Sequence, residues 1–282
     1  MSNAPPTDPL LLALVDAALA GAREAMEVYA TDFEVARKPD DSPVCAADSK
    51  SERAIVARLA AAMPDLPVVA EEAVAAGRTP RIGRRFLLVD PLDGTKEFVS
   101  RNGEFTVNIA IVEDGAPVMG VVLAPALFLA YAGSPDGAWK GRIAEGLAGV
   151  LDCEAIKVRP AGPSPVAVAS RSHMTAATKD ALVQAGAREH RSIGSSLKFC
   201  LVAEAAADFY PRLGTTMEWD TAAGDAVLSA AGGAVVTLDG APLRYGKTGV
   251  SGPRDFENPH FLAAGDRSLF KRLDLDAPST AA

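Results

Sequence analysis

The apolar run Phe86-Leu87-Leu88-Val89 ends in Asp90-Pro91-Leu92-Asp93-Gly94-Thr95, and this junction constrains the chain more than any other stretch. The run reads as a strand, so two carboxylates fall where the backbone is about to leave the sheet edge. Carboxylates three apart in a tight turn can converge on a hard cation, and the Leu92 carbonyl between them supplies a third oxygen. Gly94 lets the chain approach a ligand closely. The residues after it can begin a helix whose free N–H groups favour phosphate. In isolation Asp-Pro and Asp-Gly are common turn formers.

Two other acidic positions change that weighting. Glu71 and Glu72 follow another short apolar run, Val68 to Ala70, and Asp220 follows Trp219 at a helix start. Alone, the first is an ordinary solvated pair and the second an ordinary N-cap. Their conjunction with the Asp90–Asp93 segment needs a common cause.

The surrounding pattern predicts an α+β protein. Asp8-Pro9 opens a helix whose apolar residues recur from Leu11 to Tyr29 at helical spacing, and a second is predicted from Ser51 to Met63, stopped by Pro64. Strands are predicted at Pro67–Ala70, Phe86–Val89, Thr106–Val112 and Pro117–Leu123, the last two forming a hairpin around Asp114-Gly115. The segment from Pro125 to Pro165, rich in glycine, proline and small residues, places a junction near residue 160. Beyond it the pattern predicts a strand at Val166–Ser170, helices at Thr175–Ala185, Ser195–Ala207 and Asp220–Ala231, a short strand at Phe209-Tyr210, and a hairpin from Val235 to Leu243. The reading is therefore an N-terminal half, 1–160, and a C-terminal half, 161–282.

Charge then narrows function. A net charge of -8 over 282 residues excludes a protein that holds a nucleic acid polymer by neutralising its backbone. An acidic chain that takes an anionic small molecule needs a local cation, and a metal ion meets that need. Cys45, Cys153 and Cys200 lack paired spacing, so neither a disulfide framework nor a zinc site is expected. The apolar run Leu10–Val15 is far shorter than the ~20 residues of a membrane span and lacks a basic flank. A cytoplasmic protein with no integral membrane segment is expected, with peripheral attachment at the inner membrane as the alternative.

Glu71-Glu72, Asp90-Pro91-Leu92-Asp93-Gly94-Thr95 and Trp219-Asp220-Thr221-Ala222-Ala223-Gly224-Asp225-Ala226-Val227-Leu228 resemble, in order and spacing, the inositol monophosphatase superfamily. The resemblance runs from about Leu10 to Phe261. It implies a layered α/β/α/β/α sandwich, most metal ligands in the N-terminal half, and a C-terminal half that completes the metal site and binds the substrate. It also implies magnesium, roughly two or three ions, inhibition by lithium, and hydrolysis of a phosphomonoester without a covalent intermediate. The ligands it implies are Glu71, Asp90, the Leu92 carbonyl, Asp93 and Asp220. Asp48 matches the family's aspartate that pairs with Thr95, and these two with Glu71 position and deprotonate the attacking water. Cys45 departs from the pattern, standing where threonine is frequent.

Within the superfamily, residues 90–110 and Ser192 to Cys200 are similar to the bacterial 3′(2′),5′-bisphosphate nucleotidase branch, since the chain continues Lys96-Glu97-Phe98 where inositol-phosphate enzymes commonly carry Thr-Asn-Phe. The implied substrate is adenosine 3′,5′-bisphosphate, cleaved at its 3′-phosphate, with action on the related phosphosulfate and a place in sulfur assimilation. Gly194, Ser195, Ser196 and Lys198 offer donors and a cation for the remaining phosphate or ribose. Ser170 and His173 follow a predicted strand and line the nucleotide end, beside Asp93, Gly94, Thr95 and Asp220. A monomer or homodimer is expected.

Three rivals stand. The first is inositol monophosphatase or fructose-1,6-bisphosphatase activity on the same metal site. The second is a nucleotide triphosphatase, suggested by Gly246-Lys247-Thr248, but the spacing from Gly240 does not fit a phosphate-binding loop. The third is an inactive binding module, which retention of every ligand disfavours.

Overall fold

Asp8 caps the first helix, α1 (Pro9–Tyr29), by accepting from the Leu10 and Leu11 N–H groups at 2.7 and 3.2 Å, with Pro9 opening the helix. The structure, a computed structural model, describes residues 6–37, 43–170, 174–249 and 254–275. After α1 come the short antiparallel pair β1 (Val35–Arg37) and β2 (Pro43–Cys45), then α2 (Ala46–Ala62). The helix predicted from Ser51 begins at Ala46 instead, because the Cys45 N–H donates to the Asp48 carboxylate at 2.8 Å and closes an earlier first turn.

The larger sheet follows: β3 (Val68–Ala70), β4 (Arg85–Asp93), β5 (Thr106–Glu113), β6 (Ala116–Ala124), β7 (Leu129–Ser134), β8 (Gly137–Ile143) and β9 (Val150–Ile156), lying side by side in chain order. The short helices α3 (Glu71–Ala75) and α4 (Thr95–Val99) follow β3 and β4. Only β3 and β4 run parallel; the other neighbours are antiparallel. The β5–β6 hairpin turns as predicted, with Asp114 and Gly115 both at positive φ, 52° and 75°. Period-two alternation sends Leu87, Val89, Val107, Ile109 and Ile111 toward α1 and α2, while Phe86, Leu88, Ala110 and Val112 face the opposite layer.

The second half builds a five-stranded sheet, ordered β11-β10-β12-β14-β13, from β10 (Val166–Ser170), β11 (Glu189–Ile193), β12 (Phe209–Arg212), β13 (Ala234–Thr237) and β14 (Phe261–Ala264). Its helices are α5 (Ala176–Gln184), α6 (Leu197–Ala203), α7 (Ala222–Ala230) and α8 (Ser268–Arg272). One core cluster joins α6 and α7 to both sheets, through Phe86, Leu88 and Val122 on one side and Val168, Tyr210 and Phe261 on the other. Another packs Leu182 of α5 and Leu269 and Phe270 of α8 on the outer face of the smaller sheet. The layers are therefore α1 and α2, the larger sheet, α6 and α7, the smaller sheet, then α5 and α8: the expected α/β/α/β/α sandwich. Among the described residues no helix is long and apolar enough to cross a membrane.

Two expectations change. The predicted 235–243 hairpin turns where expected, with Leu243 N–H on the Val235 carbonyl at 3.1 Å, but β13 takes β14 as its strand partner. The small-residue segment after Pro125 contains β7, β8 and β9. One of its glycines is there for packing: Gly133 in β7 faces Gly120 of β6, and α7 lies directly on the pair. A Cβ at Gly133 would sit 2.7 Å from the Ala226 carbonyl oxygen, and one at Gly120 2.6 Å from that of Ala223. Since backbone cannot yield as a flexible side chain can, Gly133→Val is expected to destabilise the protein by about 3 kcal/mol, measured by thermal unfolding.

α7 also buries Asp225, whose carboxylate accepts from the Tyr245 hydroxyl at 2.9 Å and the Ser229 hydroxyl at 3.0 Å. Burial pushes its pKa up from 3.8 to about 7, against the pull of both hydrogen bonds. A raised folded-state pKa adds stability at low pH that is lost as pH rises through about 7. Asp225→Asn is expected to flatten that decline, so Tm measured against pH should show the variant gaining on the parent across that window.

Candidate active site

The parallel pairing of β3 and β4 sets Ala70 beside Val89, so the next residues, Glu71 and Asp90, leave adjacent strand ends together. Asp93 joins them by a different device. The sequence pattern suggests a turn after Val89, but β4 continues to Asp93, and its register on β5 shifts between Asp90↔Asn108 and Asp93↔Thr106. Three steps on β4 thus oppose two on β5, a one-residue bulge at Pro91-Leu92. In a regular strand residues 90 and 93 would face opposite sides. The extra residue reverses that parity and brings both carboxylates to one side. Pro91 suits the bulge because it has no N–H to leave unpaired, and the Asp90 carboxylate takes the Leu92 N–H at 3.0 Å. Gly94 then turns the chain at φ 92°, a conformation that favours glycine.

Side chains from four other elements hold this segment. The Ser51 hydroxyl on α2 donates to the Pro91 carbonyl at 2.9 Å, and the Thr95 hydroxyl lies 3.5 Å from both the Asp48 carboxylate and the Leu92 carbonyl. Asp93 accepts from Ser196 at 2.9 Å and Asn108 at 3.3 Å. Asp220 arrives from the opposite half, just before α7, with its carboxylate on the Met217 N–H at 2.8 Å.

The segment and Asp220 border one cleft of about 340 Å³, within the range of small-ligand sites. Its lining includes Glu71, Asp90, Leu92, Asp93, Gly94, Thr95, Ser170, Gly194, Ser195, Lys198 and Asp220. Ser196 is a correction: it is buried behind Asp93, its hydroxyl 2.6 Å from the Asp220 carbonyl, so it ties the two halves together and does not line the cleft. Asp48 likewise does not line the cleft; its carboxylate lies behind Thr95. His173 lies outside the described residues. The helix expected from Ser195 begins at Leu197, after Ser195 at φ 50°.

Sequence reasoning named Lys198 but missed Arg212 as a second cation of the cleft. Arg212, at the end of β12, lines it, is 9% exposed, and donates to the Thr215 carbonyl at 2.6 Å while its Nε has no partner. Lys198 faces the same space, with burial lowering its pKa to about 8 against the pull of Asp93. The available signal was a charged residue closing the buried run Phe209-Tyr210-Pro211, the same logic that drew attention to Asp90. The cleft is thus bipolar in charge, with the carboxylates of Glu71, Asp90, Asp93 and Asp220 as its acidic pole and Lys198 and Arg212 as its cationic one.

The acidic pole is under electrostatic stress. Burial raises the Asp90 pKa well above its ordinary range, and Glu71, Asp93 and Asp220 raise it further. Asp220 is pushed up to about 8 by burial, then by Asp93 and Glu71. Among the described residues no three acidic, histidine or cysteine groups are closed into a formed metal cluster. The donor set nonetheless fits a hard cation, for it is all oxygen, carboxylates and the Leu92 carbonyl, and no histidine or cysteine lines the described cleft. A divalent ion would relieve the mutual repulsion.

A layered α+β sandwich whose cleft carries both a carboxylate cluster and cations suits a metal-dependent phosphomonoester hydrolase. The chain belongs to the inositol monophosphatase family, whose sequence profile matches residues 7–273. It is 48% identical over 239 residues to the 3′(2′),5′-bisphosphate nucleotidase CysQ of Salmonella typhimurium, covering 84% of this chain and 92% of that one. Its fold matches the crystal structure of CysQ from Bacteroides thetaiotaomicron with a TM-score of 0.75 at 39% identity, over 92% of this chain and 97% of the other. An inositol monophosphatase from Anabaena shares the fold at 23% identity, TM-score 0.72, over 94% of each chain.

Proposed function

We propose that this protein removes the 3′-phosphate of adenosine 3′,5′-bisphosphate, giving AMP and phosphate, with magnesium at the acidic pole. The observation that carries the reading is the bipolar cleft. A substrate with two phosphates can place one at the carboxylates with their metal and the other on Lys198 and Arg212, which line the same cleft, whereas an inositol monophosphate has a single phosphate to place. The similarity to CysQ proteins over most of the chain supports the same choice.

Residues up to 160 supply Glu71, Asp90, the Leu92 carbonyl and Asp93 to the metal, and the C-terminal half supplies Asp220. When bound there, magnesium supplies positive charge that polarises the phosphoryl oxygens, acidifies the attacking water and neutralises the leaving oxygen. Thr95, oriented by Asp48, hydrogen-bonds the water, and Glu71 takes its proton. Ser196 and Asn108 fix the Asp93 carboxylate. Lys198 and Arg212 hold the 5′-phosphate, and an ion pair with Arg can be bidentate. Gly194, Ser195 and Ser170 border the ribose.

The test is phosphate release from adenosine 3′,5′-bisphosphate and from inositol 1-phosphate at equal concentration, with magnesium and again with a chelator. A strong preference for the nucleotide that vanishes on chelation is expected. Preference for the inositol ester would keep the metal assignments and overturn the roles given to Lys198 and Arg212.

A further inference from the structure

Glu218 immediately precedes Trp219 and Asp220 and is wholly buried, yet nothing in the reaction uses it. Its carboxylate accepts from the Gly246 N–H at 2.5 Å and the Lys247 N–H at 2.9 Å, and the Lys247 ammonium stands 2.7 Å away. A carboxylate this deep needs such compensation to stay charged. Gly246-Lys247-Thr248 resembles the end of a phosphate loop as sequence. In the fold its ammonium turns inward, to Glu218 and, at 3.3 Å, to the Asn258 side-chain oxygen.

Asn258 grips the same segment from its other end. Its amide donates to the Met217 carbonyl at 2.8 Å, to Thr221 at 3.0 Å and to Thr216 at 3.3 Å. Main-chain bonds add to this, Glu218 N–H to the Phe256 carbonyl at 2.8 Å and Asn258 N–H to the Thr216 carbonyl at 2.9 Å. Residues 216–221 lie between β12 and α7 and carry no strand or helix beyond an isolated bridge at Met217. Their position in the cleft wall therefore depends on side-chain ties. The path to the site is short: Lys247 binds Asn258, Asn258 binds Met217, and the Met217 N–H binds the Asp220 carboxylate at 2.8 Å.

We propose that Glu218, Lys247 and Asn258 are positioning residues, a buried charged latch that sets where the Asp220 carboxylate stands and so how tightly the acidic pole holds a divalent cation. This rests on the reading of Asp220 as a metal ligand. The latch touches neither substrate nor metal. Its loss should therefore weaken ion binding while leaving turnover largely recoverable at saturating ion, a split that general destabilisation would not produce.

The experiment is calorimetric titration of magnesium into the full-length protein and its Lys247→Met, Lys247→Arg, Glu218→Gln and Asp220→Asn variants, with circular dichroism to confirm folding and kcat measured at saturating magnesium. Lys247→Met and Glu218→Gln should raise the magnesium Kd by about 10- to 100-fold, as loss of partners behind a ligand commonly does. Lys247→Arg should recover most of that affinity. Should Lys247→Met fail to fold, Glu218→Gln carries the test, because it preserves the shape of the buried acceptor. Folded latch variants with parental magnesium affinity, beside an Asp220→Asn protein that has lost it, would overturn the latch. An Asp220→Asn protein that binds magnesium as the parent does would overturn the ligand assignment beneath it.

Discussion

Asp90→Asn is expected to lower kcat/KM for phosphate release by on the order of 10³-fold, about 4 kcal/mol of transition-state stabilisation, while the protein stays folded. The amide keeps the size of the side chain and an acceptor for the Leu92 N–H. It removes the charge at the one carboxylate that feels Glu71, Asp93 and Asp220 together. Without a cation those four groups oppose one another, so the variant should unfold at the same temperature as the metal-free parent or above it. Steady-state kinetics in magnesium, paired with Tm in a chelator, tests both halves. Near-parental activity would remove Asp90 from the metal site.

Arg212→Met should act at the other pole. Arg212 borders the cleft at 9% exposure and is already held by the Thr215 carbonyl, so its bond to a phosphate would form with little added ordering cost. Loss of a charge-assisted contact of this kind costs up to about 3 kcal/mol, which corresponds to on the order of 100-fold in kcat/KM. The loss should fall on adenosine 3′,5′-bisphosphate and spare inositol 1-phosphate, which has no second phosphate to place. Kinetics on the two substrates with one variant measures this directly. An equal loss on both would mean that Arg212 supports the fold of the cleft wall and does not read the substrate.

The acidic pole and most helices and strands were legible because each rests on local pattern, whereas the five layers came from the family resemblance. Alternation in Thr106–Val112 announces a strand, and Asp90 and Glu71 sit directly after apolar runs. What local pattern could not give was parity. Asp90 and Asp93 share a side only because β4 carries one residue more than β5, and such a bulge has no signature beyond Pro91 itself. The strands after Pro125 were hidden for a related reason. Gly133 lowers strand propensity in β7 because α7 needs its missing side chain, a requirement imposed from a distant part of the chain. Ser196 left its expected place in the cleft because a serine beside a helix start can turn either way, and its burial against Asp93 depends on how the halves meet.

The most direct test of the two-pole account is phosphate release from adenosine 3′,5′-bisphosphate and adenosine 3′-monophosphate, compared as kcat/KM in magnesium. The two share a reacting phosphate, ribose and base, and differ only in the 5′-phosphate assigned to Lys198 and Arg212. The account predicts that the bisphosphate is preferred by on the order of 100-fold, and that added salt narrows the gap. Equal values would contradict it, leaving a metal-dependent phosphatase whose cationic pole plays no part in choosing its substrate.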